Sequence, residues 1–330
     1  MARVAVFGAG AAGTAVAIHL ARKGEDVVVW GSEYDVRVLP DLMDRRVHPA
    51  LPERLPDGVQ VLGPGDLSEA ASGSEIAVMG ANSSGARSLG EMVGPALGAE
   101  TRFLVSVAKG LEDKTLLRVS ELYAETCRRP VVVLSGPSLA PEVAEGLLTG
   151  VAMASTDSRA LARATEVFRS PSFLVDPTDD VAGVELCGTA KNVAAIGAGI
   201  IEGLAKYRQR DLKNARAALF TRAVHEIADL VEAAGGRRET ALGLAGMGDL
   251  LVTMLGGRNR IYGEALGLGS EPQHTLRDMQ ARGLTVEGAG SSQEVQALME
   301  RLRLDLPIHR AVFQIVHEGA PPERILEAVM

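Results

Sequence analysis

A single lysine interrupts a long apolar run. Residues 185–203 read ELCGTAKNVAAIGAGIIEG, and within 186–201 the only charged residue is Lys191. An ammonium removed from water without a partner is costly, so such a lysine is either paired or has a lowered pKa. Lysines of lowered pKa perform acid–base chemistry near neutral pH. The chain uses 6 Lys against 28 Arg. Where a positive charge alone suffices it writes arginine, so Lys191 hints at a proton that can leave. The competing reading is a lysine that snorkels from a domain-linking helix.

Three further segments carry reactive groups. VSVAKGLE puts Lys109 just past a predicted strand, at the sheet edge where α/β proteins bind ligands; the alternative is a surface-loop lysine. LSGPSLAPEVAEG, residues 134–146, sets Gly136, Ser138 and Ala140 at another strand end. A Gly-Pro-Ser turn offers N–H groups and a hydroxyl to a substrate oxygen, although turn chemistry alone explains it equally well. Residues 243–267 place Asp249 after a glycine-rich turn and Arg258, Asn259 and Arg260 after two further glycines. Arginine and amide donors at a helix start suit a phosphate; the bland alternative is a solvated basic loop.

The elements that must position these groups follow from periodicity. Residues 4–7 form a short, uniformly apolar run, as expected of a strand buried on both faces. It runs into GAGAAG and then TAVAIHLARKG, a helix closed by Gly24, before a second buried strand over 27–30. Strand, glycine turn, helix and strand in this order form the context in which GxGxxG binds a dinucleotide. Gly8 makes the tight turn, Gly10 admits the pyrophosphate and Gly13 lets helix and strand pack, while the N–H groups that open the helix, from Ala11 and Ala12 onward, face the phosphates. The acid expected for the ribose 2′-OH falls near Ser32 and Glu33. Glu33 suits NAD, Ser32 could hydrogen-bond a 2′-phosphate, and a merely solvated Glu33 is the third reading.

After a Pro-rich loop over 40–64, further strands are expected over 75–79, 102–107, 131–134, 151–155 and 172–176. Helices are expected around 85–97, 115–126 and 158–168. Residues 1–180 thus read as an N-terminal doubly wound Rossmann-type α/β domain that binds a dinucleotide. Residues 181–330, where strand signals disappear, read as an all-helical substrate and catalytic domain. In the long helix Gly188, Asn192, Ala195 and Gly199 share a face where small size admits the nucleotide domain or the substrate.

Bulk properties narrow the function. The hydrophobic share of 46% and charged share of 23% are those of an ordinary globular protein. With 3% aromatics and a net charge of −8, the chain offers neither a stacking platform nor a basic footprint for nucleic acid. Two cysteines, Cys127 and Cys187, make no disulfide framework, and no Cys/His spacing suggests a metal. No run of eighteen uncharged apolar residues suggests membrane insertion, and the cytoplasm is the expected compartment.

GAGAAGTAVA, VSVAKGLE, SGPSLAPEVAEG, ELCGTAKNVAAIGAGIIEGL, GMGDLLVT with RNR, and TVEG occur in order across residues 8–288. Together they resemble the NAD(P)-dependent glycerol-3-phosphate dehydrogenase family. The resemblance implies a cytoplasmic, homodimeric enzyme of glycerophospholipid metabolism. It would use NAD or NADP to interconvert a small phosphorylated substrate, dihydroxyacetone phosphate, and sn-glycerol 3-phosphate. It makes Lys191 the proton donor and acceptor, aided by Lys109, Asn192 and Asp249. Gly136, Ser138, Arg258 and Asn259 join Lys109, Lys191 and Asp249 at the substrate. Lys109, Ala140, Arg258 and Glu287 join the glycine turn, Ser32 and Glu33 at the cofactor. The chain departs from the family pattern at Ser32, where Arg or His is common, at Met254 and Gly257, in a loop after Asp249 one residue shorter than in many relatives, and over 80–88, GANSSGARS. A reductase of another phosphorylated or phosphonate-bearing ketone is therefore an alternative, as is a nucleotide sensor without catalysis.

Overall fold

In the computed structural model, which describes residues 1–330, Arg3–Phe7 forms strand β1 and serves two cores at once. Val4 and Val6 pack on one face of the sheet with Val27, Val29 and Ile76, while Ala5 and Phe7 pack on the other with Val28, Trp30 and Met79. Successive strand residues point to opposite faces, so a strand covered on both sides is apolar at every position.

Seven further strands complete the sheet: β2 (Asp26–Trp30), β3 (Gln60–Leu62), β4 (Ile76–Met79), β5 (Phe103–Ser106), β6 (Val131–Ser135), β7 (Thr149–Ala154) and β8 (Phe173–Thr178). Their order is β3-β2-β1-β4-β5-β6-β7-β8. All neighbours are parallel except β6 and β7. Strand order reverses between β1 and β4, and ligands of doubly wound sheets bind in the crevice at such a switch point. β3 lies inside the stretch expected as loop, and so does a helical turn over Asp41–Arg45. Three residues are too few to display a period, and β3 exists through its pairing with β2. The helix expected from 115 begins only at Val119, because Leu116 has φ +57°, outside right-handed helical space.

The chain divides into two compact units. Met1–Lys109 and Leu117–Val181 make the α/β unit, and Gly110–Leu116 with Ala182–Met330 make the helical one. Val181–Tyr207, 27 residues long, is the spine of the helical unit. It is long and apolar enough to cross a membrane by composition, yet its apolar window is entirely buried in the protein.

Glycines fix what crosses this spine. A Cβ at Gly199 would fall on the backbone of Arg260 and Glu264, and one at Gly203 on that of Glu264 and Gly267. Reciprocally, Cβ atoms at Gly263 and Gly267 would overlap the backbones at Ile196 and Ile200. The Val181–Tyr207 and Arg258–Gly267 helices therefore touch backbone to backbone. This corrects the expectation for Gly199, whose smallness serves a helix crossing.

Candidate active site

In the α/β unit the glycine turn has the shape its spacing predicts. Gly8 has φ +108°, and its N–H donates to the carbonyl of Trp30 at 2.8 Å. A Cβ on Gly13 would stand 2.6 Å from the carbonyl oxygen of Gly8, so only glycine lets the Ala11–Arg22 helix sit this close to β1. Gly10 caps that helix without a side-chain bond, and nothing lies within 4 Å of where its Cβ would be. The open space lies beside the N–H groups at the first turn, where Ala11 and Ala12 stand. A cavity of about 490 Å³ opens here, lined among others by Gly8, Gly10, Ser32, Asp35, Gly80 and Asn82. The cradle and the unpaired N–H groups fit a dinucleotide pyrophosphate.

The acid that lines this cavity is Asp35; Glu33 is exposed and is not part of the lining. Ser32 and Asp35 form a reciprocal cap. Ser32 N–H and Oγ each donate to Asp35 Oδ2 at 2.9 Å, while Tyr34 N–H donates to Ser32 Oγ at 3.2 Å. The Ser-x-x-Asp spacing could have revealed Asp35, since a carboxylate three residues after a capping serine turns back onto it. Residues 80–88 supply a second cap, with the Asn82 side chain accepting from Gly85 N–H at 3.1 Å at the start of the Ser83–Val93 helix.

Further along the same sheet edge, Lys109 Nζ donates to the Gly136 carbonyl at 3.3 Å, and Ser138 Oγ donates to it at 3.0 Å. Gly136 has φ +139°, and a Cβ there would stand 2.9 Å from the Gly150 carbonyl oxygen and the Val151 Cα. Glycine is thus required at the turn that gathers Lys109 and Ser138. Ala140 opens the short Ala140–Glu145 helix just beyond.

In the helical unit Lys191 is 4% exposed and paired. Its Nζ lies 2.6 Å from Asp249 Oδ1 and donates to Thr253 Oγ1 at 2.9 Å. The Thr253 hydroxyl donates in turn to the Asp249 carbonyl at 2.6 Å, so its lone pairs face the lysine. Asp249 is 1% exposed and opens the Asp249–Leu255 helix, so the carboxylate and Thr253 one turn later reach the same ammonium. Of the two states open to a buried lysine, the fold supplies the partner. Thr253 was invisible in sequence because a threonine in an apolar helix has no distinguishing signal except its i+4 spacing from Asp249.

Beside this pair Asn192, Asn259 and Glu287 form a chain. Asn259 Nδ2 donates to Asn192 Oδ1 at 2.9 Å, and Asn192 Nδ2 reaches Glu287 Oε2 at 3.5 Å. Asn259 Oδ1 accepts from Gly288 N–H at 3.0 Å. Arg258, half exposed, lies 3.9 Å from Glu287 Oε1. Its helix starts after Gly257 at φ +96°, a conformation that glycine adopts without strain. The glycine crossing holds Arg258 and Asn259 in register with Lys191 and Asn192.

A family model described as the NAD-dependent glycerol-3-phosphate dehydrogenase N-terminus matches residues 3–161, and one described as its C-terminus matches residues 180–327. The chain is 38% identical over 339 residues to the glycerol-3-phosphate dehydrogenase (NAD(P)+) of Koribacter versatilis, covering 100% of this chain and 97% of that protein. It is 32% identical over 329 residues to the NADP(+)-dependent glycerol-3-phosphate dehydrogenase of Archaeoglobus fulgidus, covering 98% and 97%. The crystal structure of glycerol-3-phosphate dehydrogenase from Coxiella burnetii matches with a TM-score of 0.89 at 35% identity, covering 99% of this chain and 98% of that one.

Proposed function

Because this chain belongs to the NAD-dependent glycerol-3-phosphate dehydrogenase family, we propose that it interconverts dihydroxyacetone phosphate and sn-glycerol 3-phosphate. It is an NAD(P)-dependent oxidoreductase acting on a small phosphorylated substrate. The observation that carries the assignment from family to chemistry is the buried Lys191, held between Asp249 and Thr253. A sensor of nucleotides has no use for an ammonium placed in an apolar interior at the cost of its hydration.

When bound, the nicotinamide supplies the hydride to C2 of the ketone, or accepts it from the alcohol. Negative charge then develops on the carbonyl oxygen, and Lys191 delivers the proton in the reducing direction and withdraws it in the other. Asp249 offsets the charge of Lys191 and, with Thr253, limits where Nζ can point. Asn192 belongs to the same positioning set, being clamped by Asn259. Arg258 and Asn259 suit the phosphate end by their donors and Lys109 with Ser138 and Gly136 the substrate oxygens, while Gly8, Gly10, Gly13, Ala140 and Glu287 are assigned to the nucleotide. The enzyme works as a cytoplasmic homodimer that neither inserts into membranes nor binds nucleic acid. The burial of the apolar helix and the net charge of −8 support the partner choices; the compartment and the dimer rest on the family resemblance.

The direct test is purified protein with dihydroxyacetone phosphate and either NADH or NADPH, followed by loss of reduced-nicotinamide absorbance. Oxidation dependent on the ketone is expected. None above background with either nucleotide would remove the assignment.

A further inference from the structure

Just beyond β2, the Asp35 carboxylate lines the cavity at the glycine turn. We propose that Asp35, locked by Ser32, selects NAD over NADP by accepting a hydrogen bond from the adenosine ribose 2′-OH and repelling a 2′-phosphate. This deepens the dehydrogenase assignment and rests on its dinucleotide reading. In a β-strand, glycine turn, helix, β-strand unit, the group at the end of the second strand meets that ribose edge, and an acid there pairs with the diol.

The geometry favours this acid over its neighbour. Both hydrogen bonds from Ser32 use Asp35 Oδ2, which aims the carboxylate and leaves Oδ1 as an acceptor. Ser32 is 6% exposed and anchors the pair to the end of β2. Glu33 points to solvent outside the cavity. No lysine or arginine lines the cavity, so Asp35 is its one charged group. Arginines close in sequence to lining residues do not offset it: Arg37 is exposed outside the lining, and Arg87, beside Ser88, pairs with Glu125 at 3.5 Å. His48 feels the charge of Asp35, but burial holds its pKa below the ordinary histidine value, so near neutral pH it brings no cation. A 2′-phosphate, carrying about −1.5 to −2 charges as phosphomonoesters do, would therefore meet a fixed negative charge and no counter-ion.

Trp30, the chain's only tryptophan, ends β2 two residues before Ser32 and reports binding without turnover through its fluorescence. Titrating the intact protein with NADH and NADPH in the absence of ketone is expected to give a dissociation constant at least about tenfold larger for NADPH. The gap should narrow as salt is raised, since the penalty is Coulombic. Asp35→Asn keeps an oxygen for Ser32 and should bring the ratio toward one, Ser32→Ala should lower it by less, and Glu33→Gln should leave it unchanged; unfolding temperatures recorded alongside identify any variant that fails to fold. NADPH binding as tightly as NADH, or a ratio that moves with Glu33→Gln and not with Asp35→Asn or Ser32→Ala, overturns the proposal. Binding of neither nucleotide would overturn the dinucleotide reading with it, a result distinct from equal binding of both.

Discussion

At the scale of single residues, Lys191 is costly to bury and so announces itself, whereas the groups that make it usable do not. Replacing Lys191 by Met keeps the volume roughly and removes the proton; turnover should fall by about 10²- to 10⁴-fold while NADH affinity, measured by Trp30 fluorescence, stays within twofold or so of wild type. Unchanged turnover would take Lys191 out of the mechanism. Asp249→Asn has a different signature, because it leaves a buried ammonium without its counter-charge. A loss of about 3 to 5 kcal/mol of stability, seen in chemical denaturation, should accompany the fall in activity. Thr253→Val removes a neutral acceptor and should cost less than either. Lys191, Asp249 and Asn192 were legible because charge or amide in an apolar or glycine-rich setting is improbable without a purpose. Thr253 was not, being an ordinary residue until the fold turns it toward Lys191, and the Ser-x-x-Asp spacing marks Asp35 only as a cap, which the fold turns to the cavity.

At the scale of elements, two sets of glycines perform opposite tasks, and mutation should separate them. Gly203 and Gly263 are filled positions: any Cβ there meets the backbone of the facing helix, which cannot yield as a side chain would. Gly203→Ala should destabilise the protein by roughly 1 to 3 kcal/mol and lower the unfolding temperature, with activity reduced through the displaced Arg258–Gly267 helix. Gly10 is an empty position with φ −67°, compatible with alanine. Gly10→Ala should leave thermal stability unchanged or slightly raised, yet weaken nucleotide binding by about tenfold or more, because the methyl group occupies the ligand's space. A stable Gly10→Ala protein with normal NADH affinity would argue against the cradle. The strand–turn–helix order was readable from spacing in the sequence. The glycine crossing was not, because its two halves lie on helices whose pairing no local period records.

At the scale of the whole molecule, the chain enters the helical unit early, through Gly110–Leu116, and this strap is tied down by an acid. Leu111 N–H donates to Glu294 Oε2 at 3.0 Å inside the helical unit. Burial, with Asp113 and Glu287 nearby, pushes the Glu294 carboxyl from its ordinary 4.5 up to about 7. The native state therefore holds a proton that the unfolded chain releases, so the contribution of this group to stability is fully present below pH 4.5 and is lost as pH rises from there through about 7. The size of this loss is at most about 3 kcal/mol. Glu294→Gln, whose amide oxygen still accepts from Leu111, should flatten that dependence and stabilise the protein at about pH 8; an unaltered pH profile in denaturant titrations would show that Glu294 ionises normally. The amino-acid sequence by itself determined the doubly wound and helical halves, the glycine turn and the buried lysine, because apolar strand runs, glycine geometry and the cost of burying charge all act over a few residues. Tertiary structure alone decided which acid faces the nucleotide cavity, which helix meets the glycines of the spine, and that Lys191 is paired through Thr253, 62 residues away. Those outcomes depend on contacts between distant segments, and only the packed chain brings such segments within hydrogen-bonding distance.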